Sequence, residues 1–378
     1  MRDFIPVPVF YIPWTVKTLL FITGCTKIKH KKLQLTIISI ITLAYASVFT
    51  LTIITAINLS NFSMITESVC MILIFMSPLG IALITIAHES VLFRTLERIE
   101  NEKDARIIKT TNKRLIKLLI LIIELIILWE IPYLACGLTV AVISDVKLGT
   151  MESLYFPMYI PWRYDTIMRY GFAILFECFV VLYPFLVEYA MIFTLGSFYI
   201  YIDAKLANLL VSLNEITLRE HLTYSNLVRV IDKYQNWKST SKELLSYIAD
   251  CSTVTLFCIT LTSVLSIANL TESEVPIPLK IKNISALLYL FGHLFMFSLL
   301  GEYLKNTDDE IRNAIYDISW HTGSTELRKI VTIFMMQTQT PMTIKAYGMI
   351  SVNQSLILSI LSNIYSVLNL YRKTYRNE

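Results

Sequence analysis

YGFAILFECFVVLYPFLVEYAMIFTLGSFYIYI, residues Tyr170 to Ile202, runs without a lysine, arginine or aspartate. A helix crosses the hydrocarbon core of a bilayer with about 20 predominantly apolar residues. This stretch exceeds that need, so it is expected to span a membrane and to tilt or project beyond it. Six further stretches are long and apolar in the same way: Leu33 to Leu59, Val69 to Ala87, Leu115 to Ile143, Ile248 to Leu270, Ile284 to Leu304, and Met342 to Tyr371, with Lys117, Asp250 and Lys345, each near the start of its stretch, as the exceptions. Composition agrees, since 55% of the 378 residues are hydrophobic and only 16% are charged. A mean hydropathy of +0.58 is too apolar for a domain with a hydrated surface. The expected fold is an all-α membrane protein with seven transmembrane helices. Ten Gly and eleven Pro form no linker or low-complexity tract, and no internal repeat is visible, so residues 1–378 are expected to be a single domain.

Direction follows from Lys and Arg, which concentrate on the cytoplasmic side of membrane proteins. Of the 33 basic residues, 23 fall in the segments on the amino-terminal side of the membrane and 8 on the other. The amino terminus is therefore expected in the cytoplasm and the carboxyl terminus outside. The sequons at Asn58, Asn61, Asn269 and Asn283 sit in or beside the expected outer loops and agree with this orientation. An odd number of spans entered from the cytoplasm is inverted relative to the G-protein-coupled receptors. Neither an Asp-Arg-Tyr run after the third span nor an Asn-Pro-x-x-Tyr in the seventh is present.

The segments between spans carry their own patterns. Leu206, Leu209, Leu210, Leu213 and Ile216 recur at helical spacing, and Leu227, Ile231, Tyr234 and Leu245 continue the stripe. Ile311, Ile315 and Ile318 share a face, Gly323 interrupts it, and Leu327, Ile330, Val331 and Phe334 resume it. Such amphipathic helices need a partner surface, so the spans are expected to extend into a cytosolic anchor bundle formed between subunits, with packing within one chain as the alternative. Trp14 to Ile22 is expected to lie as a short amphipathic segment at the inner membrane surface. Lys17 and the prolines at 6, 8 and 13 argue against a cleaved leader. The aromatic, proline-containing run from Tyr155 to Trp162 in the one long outer loop suits the membrane interface, as a lid or as an aromatic belt.

Several functions are excluded. The six cysteines lack metal or disulfide spacing and read as buried thiols. No phosphate loop, nucleophile elbow or paired carboxylates in a polar setting is present, so neither enzyme activity nor a cofactor or metal is expected. The basic residues are dispersed without interleaved aromatics, so no nucleic acid is expected as partner.

Gly301-Glu302-Tyr303, then Ala314-Ile315-Tyr316 with Trp320, then Gln339-Thr340-Pro341, and finally the closing run from Asn363 to Arg372 (NIYSVLNLYR) together resemble the insect odorant receptor family in order and spacing. Val367 and Leu368 stand where that family usually has Tyr-Phe. The resemblance implies a ligand-gated, non-selective cation channel that forms a heterotetramer with a shared odorant co-receptor subunit. Such a channel works in the plasma membrane of sensory-neuron dendrites and responds to small volatile hydrophobic ligands. The family's co-receptor is longer, chiefly after the fourth span, so this chain looks like a tuning receptor. By the same resemblance the four seventh helices line the pore for permeating cations, and the ligand binds between spans two, three, four and six.

Candidate residues follow from chemistry. An apolar ligand needs a cavity of aliphatic and aromatic side chains with few polar groups. The candidates are Met71, Ile72 and Phe75 in span two, Tyr133, Cys136, Gly137 and Val140 in span three, Phe172 and Phe176 in span four, and Leu288 and Phe291 in span six. A cation pore needs a wet wall with an apolar ring that can dewet. Asn363, Ser366, Val367, Leu370 and Thr374 share one helical face that changes from polar to apolar and back, with Leu370 as the expected constriction. The alternative for this stripe is packing against neighbouring helices. Ionisable groups inside spans are Glu124, Glu130, Glu177, Glu188 and His293. Glu124 and Glu188 lie near the cytoplasmic ends, where solvation is expected. Pro132 and Pro184 are expected to kink their helices. A secondary transporter is the alternative from another class, though the inverted repeats common there are absent. A gustatory-type receptor channel is the alternative within the class.

Overall fold

The computed structural model describes residues 62–102, 165–219, 223–271 and 277–375, together with isolated positions among 16–20, 46–57 and 104–124. In chain order the elements are α1 (Phe62–Ala87), α2 (Glu89–Glu100), α3 (Ile167–Arg219), α4 (Tyr224–Thr271), α5 (Ile277–Tyr316) and a 3-10 turn (Trp320–Thr322). There follow α6 (Thr325–Gln337), an antiparallel hairpin of β1 (Lys345–Ala346) and β2 (Ile350–Ser351), and α7 (Gln354–Tyr375). Among the described residues, α1, α3, α4 and α5 each contain a stretch long and apolar enough to cross a membrane. The expected first and third spans are described at isolated positions only, and the loop from Tyr155 to Trp162 lies outside the described residues.

With 53 residues, α3 is about 80 Å long at 1.5 Å per residue. A hydrocarbon core is only about 30 Å thick. Its distal half is more than the slab can hold and packs with α4 and α5 in a lower bundle, which α6 joins through α5 and Tyr234. α1 and α4 run antiparallel, joined by a ladder of small and polar pairs. Thr66 Oγ1 donates to Asn269 Oδ1 at 2.5 Å, Cys70 Sγ lies 3.8 Å from Ser266 Oγ, Thr85 Oγ1 3.1 Å from Tyr247 Oη, and His88 Nε2 2.8 Å from Asp250 Oδ2. Gly80 lets the helices close, since a Cβ there would stand 2.6 Å from Val254 Cγ1. Small residues and interhelical hydrogen bonds are the usual glue between apolar helices. This ladder also buries Asn269, and Asn283 is likewise buried in α5. Both sequons are thus removed from an accessible loop.

The lower bundle confirms the helical stripes and corrects what they face. Leu206, Leu209, Leu213, Ile216, Leu227, Tyr234, Ile311, Ile315, Ile318, Val331 and Phe334 are all buried within one chain, which is the alternative and not the intersubunit packing expected first. Tyr234 meets Phe334 edge-on at 5.0 Å between ring centroids. The opposite face of α6 is the exposed one, with Ile333 58% and Met336 61% accessible. Gly323 lies in the break between α5 and α6, and Ser324 caps α6 by accepting from Leu327 N at 3.3 Å. The amino-terminal segment also faces protein: Val16 and Leu20 join the same buried cluster, and Lys17 pairs with Glu100 at 2.5 Å.

The seventh expected span is helical only from Gln354. Residues 342–353 instead form the hairpin, whose turn places Tyr347 at φ 53° and Gly348 at φ 70°, the left-handed pair that a tight hairpin turn demands. Three contacts hold this segment away from a helical path. Asp308 Oδ2 accepts from Met342 N at 2.7 Å, Thr253 Oγ1 accepts from Tyr347 N at 3.0 Å, and Val352 N donates to Ile344 O at 2.9 Å. Asp308 lies beyond the apolar part of α5, and its burial raises the carboxyl pKa, opposed by the Met342 N–H, Lys238 and Arg312. Lys238 and Arg312 also donate to Gln337 O at 2.6 Å and Thr338 O at 3.2 Å, placing cations where the last carbonyls of α6 concentrate negative charge.

Candidate functional site

Two features have functional chemistry: a cavity between α3 and α5, and the outward face of α7. On α3, Met191, Ile192, Leu195, Gly196, Tyr199 and Ile200 recur at helical spacing. From α5 they are met by His293, Met296, Phe297, Leu299 and Leu300. The space between them is half open and holds about 290 Å³, at the lower end of small-molecule sites.

The cavity has a polar group at each end. At one, His293 Nε2 lies 3.1 Å from Glu188 Oε1, with both side chains 7% or less exposed. Glu188 is therefore buried and partnered inside the bundle, where solvation was expected. At the other end the Tyr199 ring meets Tyr303 edge-on at 4.8 Å. The Tyr303 hydroxyl donates to Asp203, which also pairs with Arg114. Two residues before Tyr303, Gly301 abuts the chain entering α7: a Cβ on it would fall 1.7 Å from the Val352 carbonyl oxygen. The stretch of α5 that walls the cavity is thus continuous with the stretch that touches the root of α7.

None of the ligand candidates read from the sequence is among the described lining residues of this cavity. Phe172 and Leu288 are 61% and 49% exposed, Ile72 and Phe176 are half-buried, and Phe291 packs against the buried cluster beside His293. The side chains of Met71 and Phe75, and Tyr133, Cys136, Gly137 and Val140 entirely, lie outside the described residues. So do the side chains of Glu177, Glu130 and Thr374. Glu124 is exposed, and α3 continues through Pro184. Cys70, Cys251 and Cys258 are buried free thiols, as expected. The His293–Glu188 pairing was missed, though both had been read as ionisable groups inside spans that run in the same direction.

On α7, Leu356, Ile360 and Ile364 are buried against the chain. The face expected to line a pore is the other one. Asn363 and Ser366 are exposed, and Val367 and Leu370 are 44% and 67% exposed. Within one chain this stripe is not a packing stripe.

Long apolar helices, a buried polar ladder between them and a bundle beyond their ends define a multi-pass, all-α membrane protein. A profile of the 7tm odorant receptor family matches residues 62–365, and the chain belongs to that family, one of receptors and not of enzymes. The fold is that of the olfactory receptor OR5 from the insect Machilis hrabei. The structure of that receptor with eugenol superposes with a TM-score of 0.80 over 97% of this chain and 99% of the other, at 12% identity. A second OR5 structure gives a TM-score of 0.75 over 96% and 98% of the two chains, also at 12% identity. By sequence, a 78-residue stretch is 32% identical to the odorant receptor coreceptor of Ooceraea biroi and 31% identical to that of Harpegnathos saltator. Each match spans 21% of this chain and 16% of the relative.

Proposed function

We propose that this chain is the ligand-tuned subunit of an odorant-gated, non-selective cation channel. It assembles with an odorant co-receptor in the plasma membrane of a sensory-neuron dendrite, amino terminus inside and carboxyl terminus outside. The observation that carries the reading is the face of α7 around Asn363, Ser366, Val367 and Leu370, which the chain leaves exposed although half of it is apolar. A helix polar and then apolar along one face, not covered by its own chain, suits a wetted pore with a dewetting constriction built from several subunits. Family membership favours this over a transporter and over the gustatory type, and the short match to the co-receptors supports a partner of that kind.

Cells expressing the chain with a co-receptor should show inward cation current within seconds of a volatile ligand, and cells expressing either subunit without ligand should not. A panel of hydrocarbons, alcohols, esters and acids is the probe. Ligand-dependent uptake of a solute without current would replace the channel reading by a transporter. Failure to co-purify with the odorant co-receptor would favour the gustatory type.

A further inference from the structure

Three charged side chains from α4 and α5 hold the backbone where α6 gives way to the hairpin. Lys238 of α4 donates to Gln337 O at 2.6 Å and Arg312 of α5 donates to Thr338 O at 3.2 Å, so two cations grip the carbonyls that end α6. Four residues beyond Thr338 the polarity reverses: the Met342 amide donates to Asp308 Oδ2 at 2.7 Å. Asp308 is fully buried, and its Oδ1 meets no hydrogen-bond donor among the described residues. A buried carboxylate bonded through one oxygen is a costly way to fill space, since an aliphatic side chain of similar size would pack there without desolvating a charge. What Asp308 adds over such a side chain is a hold on one backbone N–H.

That hold lies at a particular place. Gly301 and Asp308 are seven residues, or two turns, apart on α5 and share one face. Gly301 abuts the Val352 carbonyl oxygen and Asp308 accepts from the Met342 amide, so α5 fastens the hairpin segment at both ends. Between these points Ile344 and Ala346 are buried, and Thr253 of α4 accepts from Tyr347 N at 3.0 Å. α7 begins at Gln354, two residues after Val352. A constriction carried by α7 widens only when α7 moves, and its root is fixed while both fastenings hold.

Resting on the ligand-gated reading above, we infer that Asp308 is the positioning residue of the α7 root: its bond to the Met342 amide latches the hairpin in the resting channel, and opening releases Asp308 into water. Facing the carboxyl are Lys238 and Tyr234 from α4, Arg312 and Asp309 from α5, and the Met342 amide. Burial raises its pKa, opposed by the Met342 N–H, Lys238 and Arg312, and release into water returns it to the ordinary carboxylate value. The latched arrangement therefore binds a proton more tightly than the released one. Acidification of the cytosolic side favours the latch, progressively from the raised pKa down to the ordinary carboxylate range.

The test uses the full chain with a co-receptor and compares two variants. Asp308→Leu removes the acceptor, whereas Asp308→Asn keeps an oxygen for Met342 and loses the charge. In lipid nanodiscs, amides in the peptide covering 339–346 should exchange with deuterium about tenfold faster in Asp308→Leu than in wild type, as the loss of one charge-assisted hydrogen bond requires. Asp308→Asn should recover most of the protection. In inside-out patches, current before any ligand, normalised to surface channels, should rise about tenfold in Asp308→Leu by the same loss. Stepping the bath from pH 8 to pH 5 should reduce that current more steeply in wild type than in Asp308→Asn. Unchanged exchange in Asp308→Leu, a resting current that it leaves the same or lowers, or an identical pH slope in wild type and Asp308→Asn overturns the inference. Should Asp308→Leu not reach the surface, the pH comparison with Asp308→Asn decides alone. Exchange needs no gating, so protein that shows these exchange differences but carries no current with any ligand would sink the channel reading and leave Asp308 holding the hairpin.

Discussion

At Gly301 the separation between a hypothetical Cβ and the Val352 carbonyl oxygen is 1.7 Å, and the atom it meets is backbone that has no rotamer with which to yield. Gly301→Ala is therefore expected to force α5 from the root of α7 and to lower stability by about 1–3 kcal/mol or more, the range for overpacking. A thermal-unfolding scan of detergent-solubilised protein reads this directly. Gly292→Ala is the matched control, since nothing lies within 4 Å of its Cβ position, and it should leave the transition unmoved. Sequence could mark Gly301 as part of a family-like run but not say why glycine stands there, because the contact joins residues fifty-one positions apart in the chain. The same is true of Glu188 and His293. Each was legible as an ionisable group in a span, yet only the packing of α3 on α5 makes them partners.

Among the elements, those with strong period were legible and those defined by tertiary contact were not. The stripes from Leu206 to Leu245 and from Ile311 to Phe334 declared helices, and helices are found, because one apolar face every 3.6 residues has few other solutions. Residues 342–353 are apolar enough to read as span, but Asp308, Thr253 and the left-handed turn at Tyr347 and Gly348 hold them as a hairpin. The stripes also could not say whose surface they meet. In α6 the buried side is Val331 and Phe334, and the exposed side carries Ile333 and Met336, which we propose as a surface for another subunit. Replacing both by aspartate should leave the chain folded, because neither side chain is in the core. It should abolish co-purification with the co-receptor, since a charge placed in an apolar interface goes unpaired. Recovery of an intact complex from the double variant would remove α6 from the assembly surface.

For the whole molecule, the class was legible from hydropathy alone, since stretches of this length and apolarity have few other destinations than a bilayer. The cavity between α3 and α5 was not, because its volume depends on how two helices settle against each other. The proposed pore face lies between these cases: its polarity pattern was readable, and its exposure on the folded chain is what sets it apart from a stripe packed within the chain. If the α7 faces of four subunits meet around an axis, Leu370, 67% exposed on the single chain, closes an apolar ring that excludes water when no ligand is bound. A side chain of similar length with an amide should hold water there, so Leu370→Gln is expected to raise ligand-independent current. Co-receptor subunits dilute the effect in proportion to the unaltered helices they contribute, so the matching substitution in the co-receptor should amplify it. Whole-cell recording before ligand is the measurement, with surface biotinylation to normalise for channel number. Unchanged resting current and unchanged ion selectivity at normal surface amount would mean that Leu370 faces a neighbouring subunit, and the constriction would then have to be sought elsewhere on α7.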